Sequence, residues 1–365
     1  MSRYFHYLVL INMIVNIVVF VPKIMLNHRF NGAVMSIPLG SIIGTTLLIV
    51  FTKGMMKFPG KDLSQILQER TPKWVRIPLL LFLILLFFWA GCVTLTAFTS
   101  ISKRYLMPES STAFILVLFL AIVGWLARQN TKSVLFFTEI TFLINLPFIV
   151  FIILKAYANP YLNWDAIKEV GTHVLEFPNW TLLGTSSYVF SGYANLVLFH
   201  RVFQEQFRVR FLWLIPIAGF LTLCTTFFVP IGFAGTYAVS DFVYPWFATA
   251  DYMRMEYGFI ERVLYPFLIL YISIAFVSCI IHWHVALFLT LSFFRNNAGS
   301  QRRVWWVKWR PWLVLAVFAG ATYLYDYLFD INQFYKLALR WMDIRLASEL
   351  FMAVFIVYLA RRRKT

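Results

Sequence analysis

No Asp, Glu, Lys or Arg interrupts residues 77–102, 211–240 or 263–294. Each stretch exceeds the roughly 20 residues of helix that cross a ~30 Å hydrocarbon core. Water cannot satisfy backbone N–H and C=O groups there, so a crossing segment is a helix or part of a closed barrel. A barrel would alternate polar and apolar side chains over segments of about ten residues, and these runs are continuously apolar. Only 13% of the residues are charged, about half the share of a soluble domain. The chain is expected to be an all-α integral membrane protein, a single polytopic domain over residues 1–365.

The apolar runs place ten helices at 5–26, 33–56, 78–101, 112–128, 132–156, 181–201, 212–236, 259–294, 311–329 and 346–361. The eighth is too long for one straight crossing and is expected to bend or to extend past the bilayer. Between the second and third, Leu63, Ile66 and Leu67 recur at helical spacing in a mixed-charge segment, which suggests a short helix in the interface. The first run continues through Pro22–Lys23 without a small-x-small cleavage site, so it reads as a span and not a signal peptide. Trp74, Trp180, Trp246, Trp305, Trp306, Trp309, Trp312 and Trp341 fall near helix ends, where amphipathic rings prefer the headgroup level.

The +16 net charge follows the same pattern. Basic residues collect in alternate connections: Lys53, Lys57, Lys61 and Arg70; Arg128 and Lys132; Arg201, Arg208 and Arg210; Arg302, Arg303, Lys308 and Arg310; and finally Arg361 to Lys364. They read as topology signals with both termini cytoplasmic, and no basic soluble module is present to bind nucleic acid. Single cysteines in a Cys-free background are expected to label from outside at Asn163 and Ser240, and from inside at Lys61 and Ser300. External labelling at Lys61 would show the span count to be wrong. Cys92, Cys224 and Cys279 lie within apolar runs without metal-ligand spacing and read as packing residues, not disulfides.

Ten spans with both ends on one side suit two five-helix halves of opposite orientation, the LeuT-like 5+5 inverted repeat in which helices 1 and 6 are interrupted around a midplane cavity. Both of these helices carry disruptive residues. Span 1 holds Asn12, Asn16 and Pro22; span 6 reads T-S-S-Y-V-F-S-G-Y-A-N over residues 185–195. Small residues let membrane helices pack closely, so packing is one reading of span 6. Buried Asn and Tyr side chains need polar partners, so a ligand pocket is the other. Asn16, Ser187, Tyr188, Gly192, Tyr193 and Asn195 are the candidate ligand-binding residues, with Pro22 and Gly192 as the helix-break positions. Gly192→Leu is expected to abolish the ligand response while leaving the protein in the membrane.

The remaining polar residues read differently. Glu139 lies within span 5, where a carboxylate is a functional candidate; it serves either as a coupling group or as a structural partner of Arg128 or Lys132. His282 and His284 are two residues apart and point about 200° apart on a helix, so they cannot share a metal. Glu349 and Asp326 are expected to be solvated near outer ends, and Glu261–Arg262 to cap and charge the start of span 8. With only Asn16 and Asn195 facing it, the cavity is expected to lack an acid–base pair, and so to support no proton-driven uptake. No Walker loop, nucleophile elbow or metalloprotease motif occurs, so no metal, cofactor or enzymatic activity is expected.

The layout resembles the B subunits of spore germinant receptors (GerAB-type), within the amino acid–polyamine–organocation transporter superfamily. The residues that carry the resemblance are Pro22–Lys23, Glu139, Phe190-Ser191-Gly192, Phe259-Ile260-Glu261-Arg262 and the basic C-terminus. It implies a spore inner-membrane subunit that senses a small nutrient such as an amino acid. It also implies two partners, an A-type membrane subunit and a C-type lipoprotein. An amino-acid or amine permease of the same superfamily is the alternative. The chain departs from the family at Val15 and Ile17, where members often carry glycines, and at Ala194, where members can carry glutamate. These departures imply a pocket altered from its relatives.

Overall fold

Pro22 removes the N–H that a continuous helix would offer to the Val18 carbonyl, and its ring crowds that carbonyl. In the computed structural model, which describes residues 3–203, 211–254, 262–294 and 304–362, the first span breaks one turn before the proline. Helix α1 (Arg3–Asn16) ends, residues 17–19 turn, and α2 (Phe20–Asn27) leaves at 50° to it. Pro22 itself sits in the first turn of α2, where a missing N–H costs nothing. Asn16 reinforces the break by donating to its own helix at the Asn12 carbonyl, 2.7 Å away. Thus β-branched Val15 and Ile17, in place of glycine, do not prevent the interruption.

The break leaves orphan carbonyls that must be satisfied inside the protein. The Ile17 carbonyl accepts from Thr226 Oγ1 at 2.5 Å, and Thr226 in turn accepts from Trp246 Nε1 at 2.7 Å. Trp246 is therefore buried in the protein. Thr226→Val should leave both a buried carbonyl and a buried indole N–H unpaired. We expect a loss of about 1–3 kcal/mol in thermal unfolding of the purified protein; unchanged stability would mean that the break needs no cap.

The chain continues through α3 (Ala33–Met55), the interfacial α4 (Leu63–Arg70), α5 (Lys73–Tyr105), α6 (Thr112–Ala127) and α7 (Thr131–Tyr157). Helix α4 forms where its apolar spacing suggested, started by a capping box in which Asp62 accepts from Gln65 N and Gln65 returns the bond. The short α8 (Trp164–Gly171) leads to the second interrupted span: α9 (Trp180–Tyr188), a 3₁₀ turn at Ser191–Asn195, α10 (Leu196–Phe199) and a 3₁₀ turn at His200–Val202. Then follow α11 (Leu214–Ala234), the short α12 (Pro245–Tyr252), α13 (Leu264–Ser292), α14 (Val304–Leu328) and α15 (Ile331–Arg361).

By length and apolarity alone, five described helices qualify as crossings (α3, α5, α7, α11 and α13), and the bent α1–α2 pair is a sixth. Helix α6, the interrupted span at 180–202, α14 and α15 complete ten in chain order. The tenth begins fifteen residues before its expected start, at Ile331 and not at 346. Of the motif at the start of span 8, Phe259, Ile260 and Glu261 lie outside the described residues; Arg262 pairs with Asp251 at 3.8 Å.

The two interrupted spans cross one another, α1 against the Ser191–Asn195 turn and α2 against α9. Helices α5 and α13 form the longest packed pair beside them, with Trp283 of α13 seated on Gly91 of α5. Connections gather at two ends. At one, Lys61, Asp62, Thr131, His200 and Arg201 meet. At the other, Lys23 donates to the Ser240 carbonyl and the Asn163 amide to that of Gly232.

Candidate functional site

Span 6 breaks without proline. Thr185, Ser186 and Ser187 donate their hydroxyls to the carbonyls of Thr181, Leu182 and Gly184 on the preceding turn, which competes with the helical ladder. Its small residues serve two faces. Ser186 packs on Gly40 and Phe190 on Gly44 and Gly219, where a methyl group would collide. That face is helix packing. The other face holds Ser187, Tyr188 and Ser191, and it meets α15.

Arg345 of α15 lies against this second face with 2% of its surface exposed. Its guanidinium reaches the Gly184 carbonyl, Ser187 Oγ at 3.1 Å and Ser191 Oγ at 2.5 Å, and stands over the Tyr188 ring at 4.8 Å. One turn later Glu349 pairs with it at 2.8 Å and accepts from the Tyr193 hydroxyl at 3.1 Å. The C-terminal end of α9, with its unsatisfied carbonyls, favours a cation there. Other freed carbonyls of span 6 are also met by side chains: that of Tyr188 accepts from Asn12 Nδ2 and that of Gly192 from Asn195 Nδ2, each at 3.1 Å.

This arrangement corrects two expectations. Glu349 is not solvated but 6% exposed in the core, and a buried acid–base pair lies at the cavity expected to have none. The reason is the length of α15, whose extra N-terminal turns carry Arg345 and Glu349 towards the middle of the helix. Asp326, by contrast, is half-buried near the end of α14.

Between the interrupted spans, α5, α13 and α15 is a cavity of about 30 Å³, lined by Asn12, Tyr188, Ser191, Ala194, Asn195, His282, Trp341, Arg345 and Glu349, with Leu86, Phe87 and Ala90 of α5. It has room for about one water molecule, so the crossing is closely packed in this conformation. Of the sequence candidates for ligand binding, Tyr188 and Asn195 line the cavity directly. Asn16 does not line it and donates instead to the Asn12 carbonyl; Ser187 and Tyr193 hold the Arg345–Glu349 pair. Trp341, read as a boundary marker, is a cavity wall, its ring edge-on to Tyr188 at 5.1 Å. Arg345 and Glu349 were legible only as an i, i+4 charge pair, in a segment that also carries Lys336, Arg340 and Asp343.

Gly192 plays a backbone role. A Cβ there would stand 2.5 Å from Val9 Cα and 2.6 Å from the Leu8 carbonyl oxygen, so glycine is what lets α1 cross span 6. The expectation that Gly192→Leu leaves the protein intact therefore changes, because leucine has no space. Glu139 lies apart from the cavity near the start of α7 and pairs with Arg3 at 3.0 Å, not with Arg128 or Lys132. His282 and His284 diverge as expected: His282 turns to the Ser278 carbonyl at 2.7 Å, His284 to the Ala127 carbonyl at 2.8 Å and Thr131 at 3.1 Å.

Residues 2–327 match a family model described as spore germination protein. Among solved structures the chain is similar to Mhp1, a nucleobase-cation-symport-1 family transporter, in a closed conformation with bromovinylhydantoin bound. The TM-score is 0.59 at 14% identity, over 94% of this chain and 75% of that one. No curated protein matches. At that identity the likeness concerns the fold: an all-α integral membrane protein with the transporter plan of two inverted five-helix repeats, and not an enzyme class. Arg345 and Glu349 lie beyond the matched segment.

Proposed function

We propose, from the premise that this chain belongs to the spore germination protein family, that it is the nutrient-sensing membrane subunit of a germinant receptor. It acts as one membrane domain in the spore inner membrane, with its termini on the core side. An A-type membrane subunit and a C-type lipoprotein are its partners. The observation that carries this reading is the small cavity at the crossing of the two interrupted spans, walled by polar side chains from α1, span 6 and α15.

In a sensor, ligand occupancy shifts the balance between occluded and open forms by its differential affinity for them. Asn195 is the contact to test, since it lines the cavity and keeps one buried oxygen without a partner. In spores, Asn195→Leu is expected to shift the nutrient dose–response by about fivefold or more, the equivalent of ~1 kcal/mol for a neutral hydrogen bond. A wild-type dose–response at normal protein abundance would place the ligand elsewhere.

One observation favours the permease alternative: the Arg345–Glu349 pair is a titratable group in the cavity, as proton coupling requires. On the sensor reading the Arg345–Glu349 pair is structural, and the purified protein in liposomes is expected to show no proton-driven accumulation of amino acids. Accumulation that collapses with a protonophore and disappears in Glu349→Gln would make it a transporter.

A further inference from the structure

Three residues that line the cavity each hold a buried polar atom without a hydrogen-bond partner: Asn195 Oδ1, Arg345 Nε and Trp341 Nε1. Asn195 and Arg345 are each only 2% exposed. Buried polar groups are rarely left unpaired, and three around one cavity, two donors and one acceptor, describe the complement of a ligand. We infer that this cavity takes a small uncharged molecule presenting a hydrogen-bond acceptor beside a donor, as a carboxamide or a lactam does. The inference rests on the ligand-site reading above and names its chemical class.

The charge balance of the site decides against ions. Arginine has five N–H donors. The two terminal nitrogens of Arg345 are committed to Glu349, Ser191, Ser187 and the Gly184 carbonyl, which leaves Nε. Glu349 meets Arg345 and the Tyr193 hydroxyl through Oε2, while its Oε1 accepts no hydrogen bond among the described residues. The pair is neutral as a unit, so a ligand with net charge would bring an uncompensated ion into an apolar interior. A zwitterion would have to break the pair and replace both halves. A neutral acceptor can take Arg345 Nε and Trp341 Nε1 while its donor meets Asn195 Oδ1, with the pair left whole. The flat aromatic walls, Phe87, Tyr188 and Trp341, suit a planar group.

The test is ligand-observed saturation-transfer NMR on the full chain in nanodiscs, with acetamide, acetate, methylammonium and glycine as probes. Acetamide is expected to bind, and the three charged probes are not. Trp341→Phe keeps the ring against Tyr188 and removes only the donor, so it should weaken acetamide about fivefold or more. Binding of acetate, methylammonium or glycine in preference to acetamide, weakened by Trp341→Phe, would overturn the uncharged class while leaving the site in place. Absence of acetamide binding, or binding indifferent to Trp341→Phe, also overturns the inference. The Asn195→Leu dose–response in spores decides separately whether the cavity is a ligand site at all.

Discussion

Arg345→Met is expected to destabilise the protein by about 3–5 kcal/mol, the range found when one partner of a buried ion pair is removed and the other is left uncompensated. The loss has several parts. Glu349 would keep only the Tyr193 hydroxyl, and the hydroxyls of Ser187 and Ser191 and the Gly184 carbonyl would all lose their donor. Glu349→Leu should cost a similar amount by stranding the guanidinium. The double variant Arg345→Met/Glu349→Leu should recover most of the loss, because a buried pair can often be replaced by apolar side chains at little cost. Thermal unfolding of the detergent-solubilised proteins, with abundance in the membrane as a second readout, measures all three. A double variant as unstable as either single one would mean that each residue acts through separate neighbours. If the ligand reading is right, the double variant folds and yet fails to respond to nutrient.

Gly192→Leu is expected to have the next largest effect, and on folding before function. Leu8, Val9 and Asn12 of α1 stand within 3.0 Å of the position of a Cβ at Gly192, and two of the three contacts are backbone atoms that cannot rotate away. Alanine at this position should cost about 1–3 kcal/mol, as overpacking does in a dense core. Leucine adds three further carbons and is expected to keep the protein from accumulating in the membrane. Immunoblots of membrane fractions for glycine, alanine and leucine at 192 should therefore fall in that order. Normal accumulation of the leucine variant would show that α1 and span 6 are separated in the membrane by more than this structure has them.

The span count is legible in the sequence because charges are too costly to place at random in a bilayer, so the gaps between them mark the crossings. The interruption of spans 1 and 6 is legible too, because proline and self-bonding serines or asparagines weaken a helix locally, within four residues of themselves. The interfacial α4 was legible for the same reason: both its capping box and its apolar stripe are short-range patterns.

What local patterns could not supply was the facing of each helix. In water an apolar stripe points inward, but lipid tails are as apolar as a protein core. Leu85 and Ile144 are 64% and 62% exposed, while Leu83 and Ile84 are buried, and nothing in those side chains separates the two groups. The same degeneracy hid the centre of the site. The charges of Lys336, Arg340, Asp343 and Arg345 made the N-terminal part of α15 look like a loop, since a crossing is recognised by having no charge. Only the tertiary structure could place that guanidinium against the carbonyls of a helix broken some 150 residues earlier, where Ser187, Ser191, Tyr188 and Glu349 together replace the water it gave up. The sequence by itself determined how often the chain crosses and where it bends; which polar groups meet at the bends was decided by long-range packing, because an apolar solvent leaves no mark on the pattern.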